Sequence, residues 1–274
     1  MDKFRFLLYG FSVLFPFPLR YLWRENKAFS RGLKLIRRDC NWVLYERKGV
    51  YYIVPDDGEY ISYLFYLIRD INLLNKYQEP PVIVEEGDIV IDCGANIGVA
   101  SLLFAKKAGK GGKVIAIEPE ERNYEILERM ANENEGRIAP ILPLKVAVYK
   151  QDCSMQLLIK SSASHSLSPY KREEKLSKGI QEVTALKIDT IIEETGLERV
   201  DFIKMDIEGA EVDALLGAEK TISQFKPKLA ICSYHRPTDP IEIREILLKY
   251  NPNYKFKEIE RGEKVLFAWD DESR

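Results

Sequence analysis

The stretch with the clearest chemical potential is Ile91-Asp92-Cys93-Gly94-Ala95-Asn96-Ile97-Gly98, an apolar run that ends in a carboxylate and opens into a glycine-rich turn. Glycine supplies backbone freedom and lets a ligand lie against the turn. Asparagine tolerates the left-handed conformation better than most other residues. Twenty residues past Gly98, a second apolar run ends at Glu118. In a doubly wound sheet a carboxylate there sits beside the first crossover and can accept hydrogen bonds from ribose hydroxyls.

Two ligand classes compete for such a loop. A dinucleotide site calls for Gly-x-Gly-x-x-Gly, with helix N–H groups around a pyrophosphate. Here the spacing differs, and Asp92 would add negative charge beside that anion. S-adenosylmethionine has no phosphate and carries a sulfonium and an ammonium, so an acidic strand end suits it. The expected cofactor set is Asp92, Gly94, Asn96, Gly98 and Glu118. The structural alternative is a turn that only packs helix on strand.

A second constellation lies at Lys204-Met205-Asp206-Ile207-Glu208-Gly209-Ala210-Glu211 and, further on, at Tyr234-His235-Arg236-Pro237. Asp206 and His235 each follow an apolar strand-like run, which puts both on the ligand-facing rim of an open α/β sheet. Methyl transfer to a hydroxyl needs the acceptor aligned and its proton removed. Asp206 is the first candidate for base or acceptor-orienting group, with His235 and Glu208 beside it. Histidine titrates near neutrality, which suits a general base. Glu208 and Glu211 could instead cap the following helix. Asp206, Glu208 and Glu211 could also hold Mg²⁺, an alternative this reading does not favour, and no metal ligand is assigned. His165, in a serine-rich stretch, reads as surface loop, and Lys204 as the partner of a buried carboxylate.

These residues need a scaffold that brings strand ends together, and the hydrophobic pattern supplies one. From residue 82 apolar strand-like runs alternate with helical ones: strands at 88–93, 113–118, 141–148, 200–206 and 228–234, helices at 97–107, 121–134, 210–224 and 241–250, then a closing hairpin at 254–269. Such alternation predicts a mainly parallel sheet covered on both faces, with an antiparallel edge from the hairpin. Residues 150–188 form a β-rich insertion around a polar loop, expected to act as a flap. Residues 1–80 read as an aromatic-rich extension, with a hairpin over 42–54 and a helix over 59–75, set apart from a Rossmann-like domain at 81–274.

Bulk properties narrow the setting. The 274 residues carry 41 basic and 43 acidic side chains, so no basic field points to nucleic acid. Four scattered cysteines without a CxxC pair argue against disulfides or a cysteine zinc site and fit a reducing, cytoplasmic compartment. Residues 6–19 lack charge, but fourteen residues with Pro16 and Pro18 fall short of a bilayer-spanning helix. The apolar stretch at 4–23 is expected to pack on the domain, the alternative being peripheral contact with a membrane. Oligomeric state is not readable from the chain.

Taken together, Gly87–Gly98, Ile117-Glu118-Pro119, Ala147-Val148, Leu186–Ile191 and the Ile203–Glu211 string resemble the FkbM family of methyltransferases over residues 82–235. The resemblance implies a Rossmann-like class I methyltransferase fold with a seven-stranded sheet, S-adenosylmethionine as donor, Ala147 in the cofactor site, and a hydroxyl acceptor on a sugar, glycolipid or secondary metabolite. Competing functions are a nucleotide-dependent oxidoreductase or epimerase, and a non-catalytic nucleoside-binding or membrane-docked scaffold.

Overall fold

The computed structural model describes residues 32–73, 75–161, 164–167 and 179–272. The apolar stretch at 4–23 lies outside the described residues, as does part of the polar loop of the insertion. Among the described residues, no helix is long and apolar enough to cross a membrane.

Three strands open the described chain: β1 (Lys34–Arg38), β2 (Trp42–Arg47) and β3 (Val50–Pro55), an antiparallel sheet in that order. Helix α1 (Gly58–Leu67) follows, its first turn capped by Asp57, whose carboxylate accepts the Tyr60 N–H. It runs into a π-helical turn at Ile68–Leu73. The helix expected over 59–75 is therefore an α-helix that widens before it ends.

The central sheet has seven strands. In chain order these are β4 (Ile89–Cys93), β5 (Lys113–Ile117), β6 (Ile141–Leu144), β11 (Phe202–Met205), β12 (Lys228–Cys232), β13 (Lys255–Glu260) and β14 (Lys264–Trp269). They are arranged β13-β14-β12-β11-β4-β5-β6. The first five are mutually parallel, and the β13–β14 hairpin adds the antiparallel edge beside β12. This is the Rossmann-like class I methyltransferase arrangement.

Alternation along each strand splits the core in two. Val90, Val114, Phe202 and Ala230 face one side with Phe104 of helix α2 (Val99–Ala108) and Leu127 of α3 (Glu121–Glu133). Ile91, Ile115, Ile203 and Leu229 face the other, under α4 (Ile188–Thr195), α5 (Glu211–Leu216), α6 (Glu219–Phe225) and α7 (Asp239–Tyr250). Val43, Tyr45 and Val54 of the first sheet and Leu64 of α1 belong to the first of these cores. The opening strands thus share an interior with the central sheet.

Two elements differ from the pattern reading. The strand expected over 141–148 splits: β6 stays on the sheet edge, where Pro143 withholds no ladder bond from a further neighbour, and β7 (Ala147–Val148) pairs with another sheet. That sheet, ordered β7-β10-β8-β9, contains β8 (Cys153–Ser161), β9 (Ser164–Leu167) and β10 (Gly179–Leu186). The helix expected over 210–224 breaks into α5 and α6 at Gly217. A Cβ there would lie 2.3 Å from the Tyr149 carbonyl oxygen, so the chain must pass without a side chain.

Candidate active site

In a sheet of this order, ligands bind at the carboxyl ends of the strands where the direction of winding reverses, here between β4 and β11. The loop after β4 is built from left-handed residues: Gly94 at φ 76°, Asn96 at 53° and Gly98 at 90°. Close approach as well as conformation demands glycine at position 94, because a Cβ would sit 2.1 Å from the Asp206 carbonyl oxygen. Gly98 is less confined, since its Cβ would meet only the end of the Leu127 side chain, Cδ1 at 2.8 Å.

Behind this loop lies a buried ion pair. Asp92 and Lys204 are register partners on β4 and β11, and Lys204 Nζ stands 2.9 Å from Asp92 Oδ1. The ammonium also donates to the carbonyls of Cys93 (3.1 Å) and Gly94 (2.6 Å), while Ser101 of α2 donates to Asp92 Oδ2 (2.6 Å). Burial alone would push the Lys204 ammonium down, but Asp92 and Asp206 hold it above the usual lysine range. Asp92 thus acts on the loop from behind: its carboxylate ends on Lys204 and Ser101, and it does not line the cleft. Lys204 has the buried carboxylate partner its strand position suggested.

Glu118 follows β5 and lines the cleft with Gly94, Ala95 and Asn96. Its carboxylate accepts the N–H of Asn96 (2.8 Å) and of Glu120 (3.0 Å). Burial pushes its pKa up to about 7 in spite of those two donors. Such a group gains from further hydroxyl donors, which stabilise the carboxylate form. Ala147, brought in by β7, completes this wall.

Asp206 follows β11, its carbonyl packed against Gly94. Its two oxygens differ. Oδ2 accepts from Tyr77 Oη (2.6 Å) and Lys76 Nζ (3.0 Å), whereas Oδ1 has Tyr234 Oη at 3.4 Å and His235 Nε2 at 3.8 Å. Burial would raise this carboxyl, but Lys76, Lys204 and His235 outweigh it and hold the group well below the usual range. Glu208, at φ 57°, lines the cleft beside it. Glu211 is fully buried at the start of α5 and accepts the N–H groups of Ile207 (2.9 Å) and Gly209 (3.0 Å). It therefore ties down the loop after β11.

His235 sits behind Asp206 and Glu208, its Nδ1 3.0 Å from Glu211 Oε1 in an ion pair off the line of a hydrogen bond. Burial disfavours its charged form. The carboxylates of Glu211, Asp206 and Glu208 reverse that and raise the pKa to about 9. At neutral pH the ring is an imidazolium that balances three carboxylates. Asp206, Glu211 and His235 lie within 4.8 Å of one another, but an imidazolium has no lone pair to offer and Glu211 already accepts two backbone N–H groups, so this trio differs from the Asp206, Glu208 and Glu211 set of the sequence reading and does not fit a cation. His165 lies on β9.

Several cleft residues carry no sequence signal of their own. Tyr63 and Tyr66 of α1, Lys76, Tyr77, Tyr234 and Glu263 all line it. Four of the six precede the strand–helix alternation. Only Tyr234 could have been found, from its place beside His235 at a strand end.

The sheet order, the left-handed loop after β4 and the acidic residue after β5 define the class: a Rossmann-like methyltransferase fold with a nucleoside-sized cleft at its switch point. Residues 92–257 match the model of the methyltransferase FkbM domain, and the chain belongs to that family. It is 22% identical over 182 residues to the hexuronic acid methyltransferase AglP of Haloferax volcanii, which covers 65% of this chain and 69% of that protein. It is 26% identical over 158 residues to methyltransferase sdnD of Sordaria araneosa, covering 48% of this chain and 60% of that one. The crystal structure of methyltransferase FkbM from Methylobacillus flagellatus KT superposes with a TM-score of 0.53 at 24% identity, over 78% of this chain and 55% of that chain. This chain thus spans little more than half the length of that structure and about two thirds of AglP.

Proposed function

We propose that the protein transfers a methyl group from S-adenosylmethionine to a hydroxyl oxygen of a sugar, glycolipid or secondary metabolite. The observation that carries this reading is a single cleft with two chemically distinct walls. One wall has Gly94, Asn96 and the half-titrating Glu118, and the other has ionised Asp206 with Glu208 and Tyr234.

The first wall fits the donor. Gly94 packs its bare Cα against the Asp206 carbonyl and lets the loop backbone line the cleft, and Glu118 is a buried carboxylate suited to hydroxyl donors. Gly94, Asn96, Glu118 and Ala147 line the cleft and would hold the donor, while Gly98, which opens α2 against Leu127, and Asp92, which acts through Lys204, shape the loop from outside the lining. When bound, the donor supplies an electrophilic methyl group, and no metal is required for that chemistry. Asp206 Oδ1, the oxygen with the longer contacts, accepts the acceptor's O–H and aligns its lone pair. The released proton passes by way of Asp206 to His235 Nε2 once that ring is neutral, so transfer speeds up toward pH 9. Glu208 orients a second hydroxyl.

The relative named for hexuronic acid supports a carbohydrate acceptor, as do the tyrosines of the cleft, whose faces suit the C–H edges of a sugar ring. The test is a screen with isotopically labelled methyl donor against hydroxylated glycans, hexuronic acids among them, and glycolipids. Label in an alkali-stable ether on a glycan supports the reading. Label recovered only on nitrogen or as a carboxyl ester overturns it.

A further inference from the structure

The turn at residues 75–78 lies ahead of residues 92–257, where the family match begins and ends, and yet it delivers two side chains to the centre of the cleft. Its placement is over-determined. Asn75 adopts φ 53° and donates from its side chain to the Gln78 carbonyl (2.8 Å). Arg261 donates to the Asn75 carbonyl (3.0 Å) and pairs with Glu79, which also pairs with Lys257. Gln78 Oε1 accepts from Val84 N (3.1 Å) and Lys107 Nζ (2.7 Å). The turn is pinned to the β13–β14 hairpin on one side and to α2 on the other.

We propose that Lys76 and Tyr77 are positioning residues of the active site: they grip Asp206 Oδ2, fix the orientation of the carboxylate, and leave Oδ1 turned to the acceptor. Lys76 is itself held by Glu263, which follows β13 and lies outside the family match. The two donors sit 2.6 and 3.0 Å from the same oxygen, and Lys76 is only 8% exposed, so its ammonium has little water to turn to. An ammonium so placed also lies 4.9 Å from the Tyr77 ring centre and 5.9 Å from that of Tyr234, which fixes its direction. A site assembled from the matched residues alone would leave Asp206 as a buried carboxylate with Lys204 and His235 at longer range.

The inference rests on Asp206 being the acceptor-facing carboxylate, and its test is chosen to be independent of turnover. The charged and titratable groups around Asp206 are Tyr63, Lys76, Tyr77, Lys204, Glu208, Glu211, Cys232, Tyr234, His235 and Glu263. The chain is labelled with [4-¹³C]aspartate, Asp206→Asn assigns the signal, and the carboxyl shift is followed from pH 8 to pH 4. In the parent, Asp206 stays ionised throughout. Lys76→Met takes a donor off Oδ2, so it displaces the Asp206 signal already at pH 7 and brings its midpoint up by about one to three pH units, the size of effect an adjacent opposite charge has on a carboxyl. Lys76→Arg restores the parent curve. Tyr77→Phe, which removes one hydroxyl and keeps the ring, gives a smaller rise and serves if Lys76→Met does not fold. An Asp206 signal that keeps the parent's position at pH 7 in folded Lys76→Met and Tyr77→Phe overturns the proposal, even if methyl transfer is demonstrated. A shifted signal in a protein that methylates no hydroxyl would sustain the grip on Asp206 while sinking the O-methyltransferase reading.

Discussion

Asp92→Asn removes one unit of charge from the most buried ion pair among the described residues without altering its shape. Asp92 is fully buried and Lys204 2% exposed, so the ammonium left behind would face only the Cys93 and Gly94 carbonyls at close range. Breaking a buried pair by neutralising one partner costs about 3–5 kcal/mol, because the surviving charge has been taken out of water and keeps only the more distant Asp206 as a counterion. With an unfolding entropy of roughly 2.1 cal/mol/K per residue over a chain of 274, that is a fall in Tm of about 5–9 °C. The double variant Asp92→Asn/Lys204→Met removes the stranded charge and recovers most of the loss, to within about 2 kcal/mol of the parent. Urea titrations of the parent, both single variants and the double variant complete the cycle. A cost below about 1 kcal/mol for Asp92→Asn, or a double variant as unstable as the sum of the singles, would refute the assignment of Asp92 as the charge that holds Lys204 against the loop.

Two further outcomes follow from the same geometry. Gly94→Ala forces a Cβ into the space of the Asp206 carbonyl at a left-handed position, and should cost about 2–5 kcal/mol in urea unfolding together with most of the affinity for S-adenosylhomocysteine; a variant as stable as the parent would mean that the loop relaxes freely. His235 has its pKa raised from 6.5 to about 9, so the stability it contributes is complete below about pH 6.5 and disappears as pH rises through about 9. His235→Gln should therefore lie about 2–3 kcal/mol below the parent at pH 6 and converge on it by pH 10, and a gap that widens with pH would contradict the imidazolium assignment.

The parts of the fold that follow from hydrophobic period were legible in the chain. Strands buried on both faces, such as Ile89–Cys93 and Phe202–Met205, read as continuous apolar runs, and the helices between them as amphipathic stripes. The breaks were not. Gly217 divides a helix because of the Tyr149 backbone, and β7 leaves the central sheet to pair with β10, both matters of distant neighbours rather than local preference. The same division holds at the site. Gly94, Asn96, Glu118 and Asp206 sit at strand ends, where topology alone assigns a role. Lys76 and Tyr77 belong to a turn between an extension and a domain, and their meeting with Asp206, some 130 residues away along the chain, depends on contacts with the closing hairpin. His235 was readable as a base by residue type, but three carboxylates around it shift its working range by an amount no sequence window contains.

The central claim, that the cleft is a methyl-donor site gripped by Glu118, is tested most directly by calorimetric titration of the chain with S-adenosylhomocysteine and with NAD at several pH values. Burial holds Glu118 near pH 7, and ribose hydroxyls bind its ionised form. The affinity for S-adenosylhomocysteine should therefore fall about tenfold for each pH unit below 7, with a proton released on binding, and Glu118→Gln should weaken binding and flatten that dependence. NAD should bind more weakly at every pH. Tighter binding of NAD, or a Glu118→Gln variant that binds S-adenosylhomocysteine as the parent does, would contradict the account.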